Sequence, residues 1–479
     1  MGKYLTQILK QTILYALILS AGFAYSQNFG NEWVNYNQKY YKIGVIAKGI
    51  YRINYANLVA AGVPVGEIDP VYLQLFYKGR EQYIYVNGES DRSLDAQDYI
   101  EFYGEPNDGW LDSVFYLNPS QQVNPKFSMI TDTAWYFLTW NSSSVPKRLT
   151  IENDLNYNSY PKLDYFIREV RANYTTYYNY AAEGAYFNDG EGWTDAMFDY
   201  NVSSPKTLQT PDYVNKSQKS TVSFCIAGAN STSHRFRVTG LGLAFDTTFY
   251  GYQTIRRSIQ TTTTITSSTT ITAKSASSST DNNAWAWLSV RYTHAMSFEK
   301  ATSLSFTLPL IAPSKYRLTL ADFNGDDKAL LYDLTNHKRI SPTLVNDTLR
   351  LLLKNEGNSP ECFLSAGSEI KTPVAIQPIS SKNSDPAYFA DFSSLKVSYI
   401  IVTNKQLWTK AKEYADYRKT THGNVLLLDV DELYNQFGYG INKHPAAIRN
   451  FCRYALSKSP VTPEYLFFIG KSVHSRDCR

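Results

Sequence analysis

The sequence predicts a chain of mixed class: β-rich, sandwich- or jelly-roll-like regions through most of its length, then the first β-α-β-α-β half of a doubly wound α/β domain. Three observations carry this. Aromatic residues are used heavily, with 39 Tyr, 24 Phe and 8 Trp, as suits side chains packed on pleated sheet faces. Charged residues make up only 19% of the chain. From Val397 onward the pattern also changes, from short strands punctuated by turns to apolar runs separated by amphipathic helices, the rhythm of a parallel sheet. The formal net charge of +4 is small for this length and gives no basis for a nucleic-acid partner.

Residues 1–26 read as a signal peptide. Lys3 and Lys10 supply a basic start, residues 13–23 an apolar core, and Ala24-Tyr25-Ser26 a cleavage site before Gln27. Nothing after it is long and apolar enough to span a membrane. Residues 27–150 are expected to form a β-rich domain. Residues 40–47 and 49–54 read as paired strands around Lys48-Gly49, and 55–61 as a short helix stopped by Gly62. Residues 72–77 and 82–86 read as a hairpin across Lys78-Gly79-Arg80-Glu81. Glu89, Asp91, Asp95, Asp98 and Glu101 follow, oxygen donors of the kind calcium takes. Their spacing departs from the calcium-loop template, so an acidic turn capping a strand at 99–103 is expected instead.

Residues 156–370 are expected to form a second, larger sandwich-like domain. Residues 235–239 and 304–308 alternate apolar and polar, the mark of half-buried antiparallel strands. The Ser/Thr-rich stretch 261–280 is expected as exposed edge strands. Residues 316–320 and 329–334 read as a hairpin whose turn carries Asp322, Asn324 and Asp326 but neither the Gly position nor the Glu of a calcium loop. Residues 371–395, with Pro373, Pro378 and Pro386, read as a linker. The four cysteines lack any zinc-ligand spacing. Export permits a disulfide, with Cys225 and Cys362 the candidate pair, whereas Cys452 is expected as a buried small hydrophobe.

In residues 396–479 the expected order is a strand at 397–403, a helix at 407–418 closed by His422-Gly423, a strand at 424–430, a helix led by Pro445, and a strand at 465–470. Sheets of this kind work beyond the carboxyl ends of their strands.

These residues carry a family resemblance. Asp416-Tyr417-Arg418, Leu427-Leu428-Asp429-Val430-Asp431-Glu432-Leu433-Tyr434, Ala447-Ile448-Arg449-Asn450-Phe451 and Tyr465-Leu466-Phe467-Phe468-Ile469-Gly470 resemble the opening of the gingipain-like cysteine peptidase domain. Upstream, Tyr99-Ile100-Glu101-Phe102-Tyr103-Gly104, Asn107-Asp108-Gly109-Trp110 and Tyr136-Phe137-Leu138-Thr139-Trp140 are similar to the β-rich region of large secreted members, the sortase-type peptidase of the type IX secretion system among them. The resemblance implies a thiol nucleophile and a histidine base, the His after a Gly at the end of a later strand and the Cys after another. No segment of this sequence matches either. The expectation is therefore no catalytic residue, cofactor or metal within the chain, which stops short of the catalytic part and is inactive alone. His474 and Cys478, four residues apart, have no third group to orient them and read as incidental loop residues rather than a dyad.

Two functions stand. One is the N-terminal portion of an exported cysteine endopeptidase, acting on protein or peptide substrates at the cell surface or outside it. The other is a non-catalytic cell-surface or type IX secretion-associated β-rich binding protein, with the secretion machinery as its partner. Neither involves nucleic acid or an integral membrane segment after signal cleavage.

Overall fold

The computed structural model describes residues 28–180, 184, 186–379 and 387–479; the signal-peptide reading lies outside them. The first β region is a five-stranded antiparallel sheet in the spatial order Ala375–Pro378, Tyr41–Val45, Ala134–Trp140, Leu73–Tyr77, Arg80–Gln82. Against it packs a three-stranded sheet of Gly49–Asn54, Tyr99–Gly104 and Tyr85–Asn87. Ile43, Val45, Leu75 and Leu138 from one sheet share a core with Ile53, Ile100 and Phe102 from the other.

The strands at 40–47 and 49–54 do not pair with each other as expected. Tyr41–Val45 lies between Ala134–Trp140 and Ala375–Pro378, and Gly49–Asn54 pairs with Tyr99–Gly104. All five residues of the first strand and four of the six in the second are buried, which a lone hairpin with one wet face cannot provide. The hairpin expected over 72–86 is shorter. Leu73–Tyr77 returns directly as Arg80–Gln82 across Lys78 and Gly79, both left-handed with φ of 51° and 72°, a pairing that matches strand twist. Tyr85–Asn87 joins the other sheet. The Ala375–Pro378 strand also shows that the 371–395 stretch read as a linker contributes to this sheet.

The second β region is built on a nine-stranded sheet that includes Thr254–Thr261, Ser220–Gly228, Asn283–Ala295, Tyr165–Asn173, Ser303–Thr307 and Glu361–Ser365 as successive neighbours. One end faces a four-stranded sheet in the order Ser203–Gln209, Ser268–Ser275, Ser233–Gly240, Leu243–Tyr250. Phe224, Ile226, Phe236, Val238, Ile271 and Trp285 fill the space between. The other end is closed by Ser314–Leu320, Thr348–Asn355 and Thr343–Val345 over Leu304, Phe306, Leu318, Leu351 and Leu364.

Three expectations for this region are corrected. Ser268–Ser275 is an interior strand, not an edge: it pairs on both sides and turns Thr269, Ile271, Ala273 and Ser275 inward. Residues 316–320 and 329–334 form no hairpin, because Ser314–Leu320 pairs with Thr348–Asn355 while Leu330–Asp333 pairs with Lys338–Ile340 and Glu361–Ser365. Cys225 and Cys362 are free thiols. Their strands stand four places apart in the nine-stranded sheet, roughly 19 Å at the usual inter-strand spacing, whereas a disulfide needs Cα atoms within about 7 Å. Cys452 is half-buried on its helix rather than fully buried.

In the last region Tyr399–Thr403 is the central strand of a parallel sheet, flanked by Val425–Asp429 and Tyr465–Ile469. Helices Trp408–His422, Val430–Phe437 and Ala446–Lys458 accompany it. Gly423, with φ 70°, ends the first helix. The short second helix is an element beyond the expected strand–helix order. Asp429 starts it by accepting the Asp431 amide. This region is not free-standing: Phe29 and Phe392 complete a core with Leu433, Phe437 and Phe451. Among the described residues, no helix is long and apolar enough to cross a membrane.

Candidate functional site

The carboxyl ends of the three parallel strands, at Thr403, Asp429 and Ile469, converge on one crevice of about 660 Å³. Its sheet side is lined by Val402, Thr403, Asn404, Phe468 and Gly470, and its opposite wall by Phe115, Ile130 and Phe187 of the β regions. The Thr403 hydroxyl donates to the Ile469 carbonyl at 2.9 Å, tying two strand ends together. The Asn404 side chain accepts the Leu407 amide at 3.2 Å and so caps the following turn. The floor is thus apolar, with its polar groups turned to holding strand ends in place.

The opposite wall is pinned by a pair that sequence reasoning missed. His444 and Asp112 are fully buried, with Nε2 3.2 Å from Oδ1. His444 Nδ1 accepts the Ala446 amide, which leaves the ring proton on Nε2 to be donated to Asp112. Asp112 also accepts the Met129 amide at 2.6 Å, and the imidazole stacks on Phe115 at 4.7 Å. Arg449 donates to the Val114 carbonyl at 2.9 Å. The 3-10 helix Trp110–Phe115 is thereby fastened to the head of helix Ala446–Lys458. The two partners are 332 residues apart. The only hint in the sequence is a His immediately before a helix-opening Pro.

His474 and Cys478 lie at the same end of the molecule without forming a dyad contact. The Cys478 thiol donates to the His474 backbone carbonyl at 3.5 Å, and His474 Nδ1 accepts the Arg476 amide. Burial pushes the Cys478 thiol up, with Lys443 pulling the other way, the reverse of what an activated nucleophile requires. Its surroundings are Leu111, Ile130, Ile441 and Ala446. The acidic loops serve as caps and ion pairs. Glu89 meets Arg148 at 2.7 Å and Asp98 accepts the Asp95 amide. Glu101 is buried between Arg52 and Arg339. Asp326 accepts the Lys328, Gly367 and Ser368 amides.

Residues 393–477 match the model for Peptidase family C25. No curated protein sequence matches the chain. Among solved structures, dimeric latent PorU from Porphyromonas gingivalis matches 90% of this chain with a TM-score of 0.57 at 14% identity. The chain spans 41% of that chain's length. A CBM36 domain of a xylanase from the hindgut metagenome of Trinervitermes trinervoides overlaps 26% of this chain and 96% of its own, at 12% identity and a TM-score of 0.18. A CBM36 module in complex with calcium and xylotriose overlaps 26% and 98%, at 12% identity and a TM-score of 0.17. Both scores are too low to define a shared fold. The chain resembles the gingipain-like cysteine peptidases of family C25 over residues 393–477, carried on a β-rich frame with the fold of PorU.

Proposed function

We propose that the chain is the N-terminal portion of a secreted gingipain-like cysteine endopeptidase, in which a thiolate attacks the scissile carbonyl and an imidazole moves the proton. The observation that carries this is the family C25 match falling on a parallel sheet whose strand ends open into a crevice. The outer strand adds support. Tyr465, Leu466, Phe467 and Phe468 are 41–54% exposed, although parallel strands are ordinarily covered on both faces and sheet edges are paired or guarded. A further strand paired with Tyr465–Ile469, together with its crossover helix on the sheet face, would cover them.

In this reading residues 1–26 are the signal peptide, 27–150 and 156–370 the β-rich domains, 371–395 the connection and 396–479 the start of the peptidase domain. The catalytic His and Cys belong to sequence beyond Arg479, substrates are proteins or peptides, and the protein acts at the cell surface or outside the cell, with the type IX machinery as its route. The test is to read the gene past the codon for Arg479 and assay the extended and present chains on a mixed peptide library. The expected result is an open frame supplying a Gly-His and a strand-end Cys, with hydrolysis by the extended protein alone. A stop codon there, confirmed by intact mass, would favour the non-catalytic binding protein. Hydrolysis by the present chain would overturn the assignment of catalysis to later residues.

A further inference from the structure

A second concavity lies where the first described residues, the tip of the hairpin Leu73–Tyr77 and Arg80–Gln82, and the loop after helix Val430–Phe437 meet. It measures about 450 Å³, and Trp33, Tyr77, Trp110 and Tyr439 line it together with Glu32 and Arg80. It shares no lining residue with the crevice. We propose that this pocket binds a neutral hexopyranose sugar, seated with the C–H face of its ring against the aromatic walls. The site stands whether or not the chain belongs to a peptidase.

The walls come from local backbone geometry. Lys78 and Gly79 turn the hairpin in the left-handed conformation, with φ of 51° and 72°. A β-carbon on Gly79 would come within 2.9 Å of Tyr439 Cε1 and 3.2 Å of Trp33 Cδ1, so the bare backbone is what lets both rings close on the turn. Tyr439 is also left-handed, with φ 53°, a conformation that a bulky side chain keeps only where its surroundings impose it and that gathers at ligand sites. Trp110 meets the Tyr439 ring edge-on at 5.0 Å. Trp33 is fixed by donating from Nε1 to the Gly30 carbonyl at 3.0 Å and by edge contact with Tyr40.

The polar groups identify the ligand class. Lys78 is neutralised by Asp108 at 2.9 Å, with its ammonium over the Tyr77 and Trp110 rings. Glu32 accepts the Phe29 and Gly30 amides. Burial pushes the Tyr439 hydroxyl up to about 12, with Glu32 adding to the rise and Arg80 opposing it, so a carboxylate and a guanidinium both lie close to that phenol. A cation entering here would meet Arg80 and an anion would meet Glu32, whereas a neutral ligand meets no opposing charge. Among the described residues, the Arg80 guanidinium, the Trp110 indole N–H and the Tyr439 hydroxyl have no hydrogen-bond partner in the chain. Two are donors and the third both donates and accepts. Aromatic walls with a few such groups, at this volume, are the make-up of a small-ligand pocket. A pyranose offers the complement: an apolar C–H face, a rim of hydroxyls that each donate and accept, and no net charge.

The test titrates the full chain with cellotetraose, mannotriose and chitotriose, following tryptophan fluorescence and counting sites by calorimetry. A hyaluronan tetrasaccharide and a phenylalanine-containing tripeptide serve as the charged-sugar and peptide probes. The expected result is saturation of one site by at least one neutral oligosaccharide, with a change in tryptophan emission. Its affinity is expected to fall at least tenfold in Arg80→Ala and at least threefold in Tyr439→Phe. Arg80 is exposed, so its variant folds and decides the matter: Arg80→Ala that binds like the parent overturns the proposal, as does absence of saturation by all three neutral sugars at millimolar concentration. Tighter binding of the hyaluronan fragment or of the tripeptide would assign the pocket to an anion or a peptide and equally overturn it.

Discussion

At the scale of single residues, the side chains with the largest effect are buried charges that have found partners. Glu101 has no exposed side-chain surface, yet it is held by Arg52 at 2.7 Å, Arg339 at 2.8 Å and the Tyr332 hydroxyl at 2.5 Å. Arg339 and Tyr332 belong to the second β region, so one carboxylate fastens the two regions together. Removing one partner leaves the others buried and unpaired, which costs about 3–5 kcal/mol; Glu101→Ala is expected to lower the urea midpoint accordingly, with the loss read from equilibrium denaturation. Asp281 sets a pH dependence. Burial alone would raise its pKa, but bonds from Ser275, from the Ser277 and Arg235 amides and from His234 outweigh this and hold the carboxyl below its ordinary range. The unfolded chain therefore takes up the proton more readily than the folded one. This contribution to stability is complete above the unfolded pKa of about 3.9 and is lost as pH falls through the lower folded value. Asp281→Asn is expected to be less stable than the parent at pH 7, with a shallower decline in unfolding midpoint on going from about pH 4 to pH 2.

At the scale of elements, hydrophobic alternation was the dependable guide, and strand partners were not. The inward faces of Ser233–Gly240 and Ser303–Thr307 follow from Phe236, Val238, Leu304 and Phe306, and the helix stop at Gly423 from its left-handed backbone. The place of Ser268–Ser275 was missed because hydroxyl-rich composition looks solvent-facing, whereas Ile271 and Ala273 carry the strand into the core and Thr269 and Ser275 are buried beside them. Ile271→Ala is accordingly expected to cost about 2–5 kcal/mol, more than an exposed edge would allow, as measured by thermal or urea unfolding. The parallel sheet carries the opposite liability. Its helices rely on Phe29, Phe392 and the Trp110–Phe115 segment, and its outer strand exposes four large apolar side chains. Residues 397–479 expressed alone are expected to be molten or insoluble; a cooperative unfolding transition from that fragment would contradict this.

At the scale of the whole molecule, the crevice is a joint product of three regions, which explains why it was only half legible. Its floor could be placed from strand–helix rhythm, since ligands gather beyond parallel strand ends. Its wall rests on a contact between residues 112 and 444 that no local pattern announces. Asp112→Asn, which weakens the bond to His444, is expected to uncouple the α/β region so that calorimetry resolves an earlier transition, with a loss of about 1–3 kcal/mol.

The pairing of Tyr41–Val45 with Ala375–Pro378 also has a consequence for biogenesis. The first of these strands waits for a neighbour made more than three hundred residues later, roughly 17–67 s at ordinary elongation rates. For that interval one edge of the first sheet is an open template, competent to pair with any extended chain nearby. The nascent protein is therefore most exposed to misassembly at its first strand, and a holding chaperone would have its greatest effect before residue 378 has emerged.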